Sequence, residues 1–277
     1  MTTNRGAATP ERLQAHMRAV ARQQYDSVPV PPFTLYFHPS DALPYLNYAI
    51  PDEAPGDAAS LAAPLAELKA EFARRGRKPR FEFVGAVFPA LAGALEASGF
   101  EIEARPQLMV ATPDSLRDVP PAAGLEVETL SGTSPLDAFR VFISVQRRAF
   151  GLGDAAAVSD QDALWLRDGL GRGLCLVGRL AGEAVAVSMF LDPQDGLTEL
   201  AGICTLESHR RRGLAGALTH AALHEAFQRG VSVAFLSAAD ARAGRVYEAA
   251  GFAPFGNTVF AIVRDGAAPP TSSPRPA

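Results

Sequence analysis

Only two cysteines, Cys175 and Cys204, occur in 277 residues, and both lie inside apolar, strand-like runs. A disulfide framework uses more, so the sequence points to a reducing, cytoplasmic setting. No apolar run is long enough to span a bilayer, and the N-terminus lacks the apolar stretch of a signal peptide. No membrane partner is expected. A dominant charge is missing as well. The formal net charge is −4, which creates no global field for nucleic acid or an anionic lipid surface. Lysine is nearly absent: Lys69 and Lys78 are the only two, and arginine carries the rest of the basic charge. We read that as coding bias. What remains is ordinary globular composition, 48% hydrophobic and 20% charged, at a length that suits one large domain or two smaller ones.

Residues 1–10 and 266–277 are rich in small, polar and proline residues and read as disordered. Glu11 to Tyr25 has a helical period, with Leu13, Met17 and Val20 on one face. Strands are expected over Phe33–Phe37 and Tyr45–Ile50, a helix over Leu61–Arg75 stopped by Gly76, and a short strand over Phe81–Val84. A helix follows over Phe88–Ala97, then a strand over Glu101–Thr112 broken at Pro106. The stretch from Pro113 to Gly124 carries three prolines, and within it 116–124 reads as a linker. A second cycle then begins. It comprises a strand at Leu125–Leu130, helices at Leu136–Arg148 and Gln161–Leu170, and a hairpin of Leu174–Leu180 and Val185–Leu191. After it come a strand at Thr198–Thr205, a helix at Gly213–Arg229, a strand at Val231–Leu236, a helix at Ala241–Ala250 and a strand at Thr258–Val263. The two cycles echo each other: Leu95 to Phe100 aligns with Tyr247 to Phe252 at a constant offset. That echo predicts a duplicated domain, 11–115 and 125–265. The fold class is α/β (α+β), each domain a mixed, mostly antiparallel sheet flanked by helices.

The segment Thr198 to Gly216, TELAGICTLESHRRRGLAG, carries the chemistry. It reads as a strand, a basic turn and the start of a long helix. The first amides of a helix lack intrahelical partners and sit at the positive end of its dipole, so they attract phosphate. Gly213, Ala215 and Gly216 are small enough to let a pyrophosphate approach the backbone. Arg210, Arg211 and Arg212 add positive charge nearby. A solvated basic turn capping a helix would have the same composition. The pattern matches neither the dinucleotide fingerprint nor a Walker A loop.

Arg210-Arg211-Arg212-Gly213-Leu214-Ala215 resembles the Gln/Arg-x-x-Gly-x-Gly/Ala signature of the GNAT N-acetyltransferases. The strand before it, the long helix after it and the later Tyr247-Glu248-Ala249-Ala250-Gly251-Phe252 extend the resemblance over roughly 125–264. The family implies acetyl-CoA as co-substrate and no metal. It implies a V-shaped splay between two central strands, with the pantetheine arm on free backbone groups of Ile203, Cys204 and Thr205. The pyrophosphate would lie on amides from Arg211 to Gly216, Leu214 included. Asp240 stands where the family often has a cofactor-contacting asparagine; an ionised carboxylate accepts but does not donate.

The implied reaction is attack of an amine on the thioester carbonyl, with CoA thiolate leaving. Glu199, eleven residues before Arg210, is the candidate base, or else an edge charge. By strand alternation it shares a face with Ala201, Ile203 and Thr205. Tyr247 is the candidate acid, or else a packing residue. The N-terminal copy has Leu95 at the matching position and acidic Asp52 to Ser60 where phosphate would sit, so it is expected to be degenerate. The tandem arrangement resembles mycothiol-synthase-like members of the family. His220 and His224 share a helix face without a third ligand and read as packing or surface residues. His209 reads as solvent-facing. Trp165 and Phe150 are packing residues that by resemblance line the acceptor pocket. The expected partner is a small primary amine, with the protein a monomer or homodimer. Two alternatives stay open: a catalytically weak acyl-CoA-binding regulatory module, and an acetyltransferase acting on protein lysines or N-termini.

Overall fold

A computed structural model describes residues 7–54, 59–152 and 158–264. The expected disordered ends therefore fall largely outside the described residues. Helix α1 (Pro10–Gln24) begins where Thr9 accepts a hydrogen bond from the Arg12 amide and Pro10 takes the first helical position. Strands β1 (Asp26–Val30), β2 (Phe33–Phe37) and β3 (Asn47–Pro51) follow, then α2 (Ala62–Arg74), β4 (Arg80–Val84), α3 (Leu91–Ala97) and β5 (Phe100–Ala104). After them come β6 (Gln107–Ala111), β7 (Leu125–Leu130), α4 (Leu136–Ala149), α5 (Asp160–Gly169), β8 (Leu174–Leu180) and β9 (Glu183–Phe190). The chain continues through β10 (Leu197–Thr205), α6 (Leu214–Gln228), β11 (Val233–Ala238), α7 (Ala241–Ala250) and β12 (Ala253–Val263).

The chain forms two compact units that interleave in sequence. One comprises Met1–Asp26 and Pro106–Thr258; the other comprises Ser27–Arg105 and Val259–Ala277. The expected continuous strand from Glu101 divides at Pro106, which has no amide to donate, and its halves go to different units. The unit boundaries thus differ from a division into 11–115 and 125–265. The physical reason is strand pairing: β6 supplies the antiparallel neighbour of β11, from Ala111 opposite Ala234 to Gln107 opposite Ala238.

In the larger unit the strand order is β12-β6-β11-β10-β9-β8-β7. Among the described residues of this unit only β10 and β11 pair in parallel; the other pairs are antiparallel. The β8–β9 hairpin turns on Ala181 and Gly182, both with positive φ, the geometry that matches strand twist. On one face α6 packs Leu214, Leu218 and Leu223 against Leu176, Phe190 and Leu200. On the other, α4 packs Phe139, Phe142 and Ile143 with Val177, Val187 and Cys204. Each large apolar side chain buried this way contributes roughly 1.5–3 kcal/mol.

Residues 116–124 are not a free tether. The Arg117 amide donates to the Ala250 carbonyl, and the Arg117 carbonyl accepts from His220 Nδ1 at 2.9 Å. Leu116, Val119 and Ala122 pack on the α6 core. Gly251 permits this contact: its φ is +113°, and a Cβ there would lie 2.1 Å from the Ser115 carbonyl oxygen.

Helix α1 also belongs to this unit. His16 is buried, and its ring stands edge-on to Phe235 at 5.2 Å. Burial lowers its pKa to about 4, outweighing the Asp192 carboxylate and the carbonyls of Asp192 and Leu197, which favour the imidazolium. The unfolded chain therefore binds the extra proton first as pH falls. Stability is expected to be full above about pH 6.5 and to fall between there and pH 4, by on the order of 3 kcal/mol. His16→Gln should flatten that segment of a denaturant-midpoint profile against pH. An unchanged slope would remove His16 as the cause.

The smaller unit has strand order β1-β2-β3-β4-β12-β5. Its core is phenylalanine-rich, with Phe81 edge-on to both Phe33 and Phe100. Arg80 is buried but satisfied by Glu82 and Glu103, and its guanidinium lies over the Phe260 ring. Helix α2 joins β3 to the parallel β4, as α6 joins β10 to the parallel β11.

Candidate active site

Strands β10 and β11 pair through three rungs: Leu197 with Val233, Thr198 with Ala234 and Glu199 with Phe235. Beyond Glu199 the two strands follow other neighbours. β10 stays with β9 as far as Thr205, while β11 stays with β6 as far as Ala238. No rung joins β10 to β11 beyond Glu199 and Phe235, although both strands run on, so a wedge opens between them toward Thr205 and Ala238.

A β-bulge lies at the mouth of this wedge. Ala201 pairs with Met189, but Cys204 pairs with Val187, so β10 carries one residue more than β9 over the same span. Gly202, at φ +61°, absorbs the extra residue. The insertion inverts the alternation expected from sequence. Glu199 and Ala201 now share a face with Cys204, which packs in the α4 core. Ile203 packs instead against the α6 core. The expected single face of Glu199, Ala201, Ile203 and Thr205 is thereby corrected.

The same register decides which amides are free. Leu206 donates to the Val185 carbonyl, which makes 206 and 185 a hydrogen-bonded pair. Two residues back, Cys204 and Val187 form the next such pair, so the Cys204 amide turns to β9. Ile203 and Thr205 present theirs to the wedge. Of the three residues expected to offer free backbone groups, Cys204 is therefore corrected to a paired one. The Thr205 hydroxyl is buried and without a hydrogen-bond partner.

After β10 a short 3-10 turn (Glu207–His209) leads to the arginines. Arg210 is exposed like its two neighbours, but its guanidinium is engaged, donating to the Thr205 carbonyl at 3.3 Å and the Ala149 carbonyl at 3.2 Å. It ties the end of α4 to the end of β10. Arg211 and Arg212 are exposed, and Arg211 holds a φ of +65°, unusual for a side-chain-bearing residue. Gly213 is the N-cap of α6 at φ +79°, with no side chain capping the helix. The amides of Leu214, Ala215 and Gly216 have no intrahelical acceptor there. The Ala217 amide is the first to bond within the helix, to the Gly213 carbonyl. Gly216 is buried beside Val119 and Val246, where a Cβ would make only ordinary van der Waals contact.

Tyr247 lies on α7, half-buried against the α6 core and edge-on to Phe252. Burial first, then the Cys204 and Asp240 groups within electrostatic reach, raise its pKa to about 12. It stays a protonated phenol throughout the physiological range. Cys204 is also pushed up, to about 12, by burial against the lowering influence of Arg210 and the Val187 backbone. A thiol held neutral is a poor nucleophile. Asp240 caps α7, accepting from the Ala243 amide at 2.7 Å. Glu199 occupies the last rung before the wedge, with its carbonyl accepting from the Leu191 amide.

Other sequence candidates have local roles. His220 bonds the Arg117 carbonyl, and His224 Nε2 lies 3.1 Å from the Gln228 amide nitrogen. His209 is half-buried beside the Ser208 hydroxyl. Among the described residues no group of three or more His, Cys, Asp or Glu is arranged to hold a metal. Trp165 donates to the Gln24 carbonyl at 2.9 Å and stacks edge-on with Tyr25, docking the end of α1. Phe150 is 55% exposed at the end of α4. Sequence reasoning missed the bulge, the placement of the expected helix α1 over β11 in the larger unit, and Gln146. Each had a faint signal: a glycine inside a strand, an apolar helical stripe near the N-terminus, and a lone amide in an apolar stripe.

Residues 143–252 match the acetyltransferase (GNAT) family. A GCN5-related N-acetyltransferase from Kribbella flavida superposes with a TM-score of 0.75 at 25% identity, over 94% of this chain and 97% of that one. A tandem GNAT protein from the clavulanic acid biosynthesis pathway shares the fold, with a TM-score of 0.58 and 17% identity over 86% and 80% of the two chains. A GCN5-related N-acetyltransferase from Sphaerobacter thermophilus does so with a TM-score of 0.58 and 19% identity, over 85% and 78%. No curated protein matches the chain in sequence.

Proposed function

Residues 143–252 form an acetyltransferase domain of the GNAT family, and on that premise we propose that the protein acetylates a small primary amine by direct transfer from acetyl-CoA. The observation that carries this reading is the wedge between β10 and β11, opening beside an uncapped helix start. The residues suit the co-substrate. The exposed first turn of α6 suits a diphosphate, with Arg211 and Arg212 beside it. The Thr205 and Ile203 amides on the wedge edge suit the pantetheine amides. The orphaned Thr205 hydroxyl has a polar partner to gain there. When bound, acetyl-CoA supplies the activated thioester carbonyl.

The residues divide the remaining work. A C–N bond forms from the amine and the C–S bond breaks. The amine loses one proton, for which Glu199 is the acceptor. The departing sulfur gains one, for which the Tyr247 phenol is the donor. The Thr205 amide stabilises charge on the carbonyl oxygen. The neutral, buried Cys204 thiol disfavours an acyl-cysteine route, which supports direct attack over a two-stage one. Helix α1 covers the face of β11 that carries Phe235, the partner of Glu199, and this narrowing favours a small acceptor over a protein surface. In the N-terminal copy, Leu95 is fully buried and Leu61 starts α2 from inside the core. Among the described residues these two positions offer no proton donor and no exposed helix start, which supports a degenerate role.

Calorimetric titration should find one acetyl-CoA site per chain, and thiol release across an amine panel should identify the acceptor. Binding without release from any amine would leave only a cofactor-binding module. Glu199→Gln should lower kcat about tenfold at neutral pH and less at alkaline pH, where the amine is already deprotonated. A deficit of the same size at every pH would remove Glu199 as the base.

A further inference from the structure

Helix α4 buries Phe139, Phe142 and Ile143 along one stripe. Gln146 continues that stripe, three residues after Ile143, four after Phe142 and seven after Phe139. An apolar side chain is expected there. The carboxamide instead lies over the bulge in β10: a Cβ added to Gly202 would meet Gln146 Nε2 at 2.2 Å and the Met189 methyl at 3.6 Å. Glycine at 202 thus serves the positive φ of the bulge, and the flexible end of Gln146 rests against it. The Gln146 carboxamide makes no hydrogen bond to any described residue, and it is not among the buried orphaned groups. Gln146 is half-buried, beside the bulge at the mouth of the wedge. Glu199 and Gln146 lie on the same face of β10, on either side of Ala201. A carboxamide in this apolar stripe, with no hydrogen bond to a described residue, adds nothing to the packing that an apolar side chain would not.

We propose that Gln146 binds the acceptor, its Oε1 accepting a hydrogen bond from the attacking amine. This rests on the transferase reading above. A neutral primary amine has two N–H bonds. One proton leaves toward Glu199. The other is held by Gln146, which orients the nitrogen lone pair toward the wedge. Such a contact selects for primary amines over hydroxyl acceptors, whose single proton is the one lost in the transfer.

The test uses the full chain, the best amine from the panel and Gln146→Leu, which completes the apolar stripe. Binding of that amine to protein saturated with CoA is measured by calorimetry, alongside turnover, acetyl-CoA affinity and the unfolding midpoint. Amine affinity and kcat/KM are expected to fall at least about tenfold. Acetyl-CoA affinity should hold, and the midpoint should hold or rise. Gln146→Glu keeps an acceptor oxygen and should retain more amine affinity than leucine does. Equal amine affinity and turnover in wild type and Gln146→Leu would overturn the assignment while leaving the transferase reading intact. Loss in Gln146→Glu as deep as in leucine would overturn the acceptor-oxygen role. A wild-type protein that binds acetyl-CoA but none of the amines would sink the reading and this proposal together.

Discussion

Gly213→Asp is expected to weaken acetyl-CoA binding at least about 100-fold, roughly 2.7 kcal/mol, while the protein stays folded. The position makes both halves of that expectation. Gly213 is exposed, and a Cβ there would touch nothing within 4 Å, so no packing is disturbed. The cost is its φ of +79°, about 1 kcal/mol, and aspartate tolerates that region better than most residues. The new carboxylate stands at the N-cap of α6, where it satisfies the first-turn amides and the helix dipole from within the chain. It then competes for those amides with a diphosphate and repels it. Calorimetry reads the affinity, and thermal unfolding reads the fold. Gly213→Ala separates backbone strain from charge and should weaken binding far less. Should the aspartate variant bind within about threefold of wild type, the diphosphate is not seated on this helix.

The second large effect is at Tyr247. Tyr247→Phe is expected to lower kcat about 100-fold with acetyl-CoA affinity nearly unchanged. Phenylalanine keeps the ring that packs on Phe252 and removes only the proton. The raised pKa adds a second readout. The active form is the neutral phenol, whose folded pKa is about 12 against an ordinary value near 10. Turnover in the wild type should therefore show no Tyr247-dependent fall until pH nears 12. In stability the sign is the same: the contribution is complete below about pH 10 and is lost as pH rises toward 12, because the unfolded tyrosine ionises first. Tyr247→Phe should remove that alkaline loss. Equal kcat in the two proteins would leave Tyr247 a packing residue.

The legible part of the site was its local part. Arg210 to Gly216 shows a turn, a glycine and the start of a helix within seven residues, and the structure places an uncapped helix start there. Tyr247 was legible as a residue in an amphipathic helix, though not its neighbours: Cys204 and Asp240 come to it from two other places in the chain. The roles of individual arginines were not legible. Arg210 looked like its neighbours, and its two carbonyl partners, Thr205 and Ala149, depend on where α4 ends relative to β10. Strand parity failed at Gly202 because alternation is a rule for an unbroken strand, and a bulge changes the count by one. The interleaving of the units was hidden for a related reason. Pro106 marks a break, but a break does not say which sheet each half joins.

The sequence by itself determined the elements, the apolar faces and the anion-attracting start of α6, because each depends on residues a few positions apart. Only the tertiary structure decided which edges stay open, which amides of β10 are free and that Gln146 stands over Gly202. Those depend on pairing and packing between segments far apart in the chain, where strand register and competition among neighbours leave little imprint on local pattern.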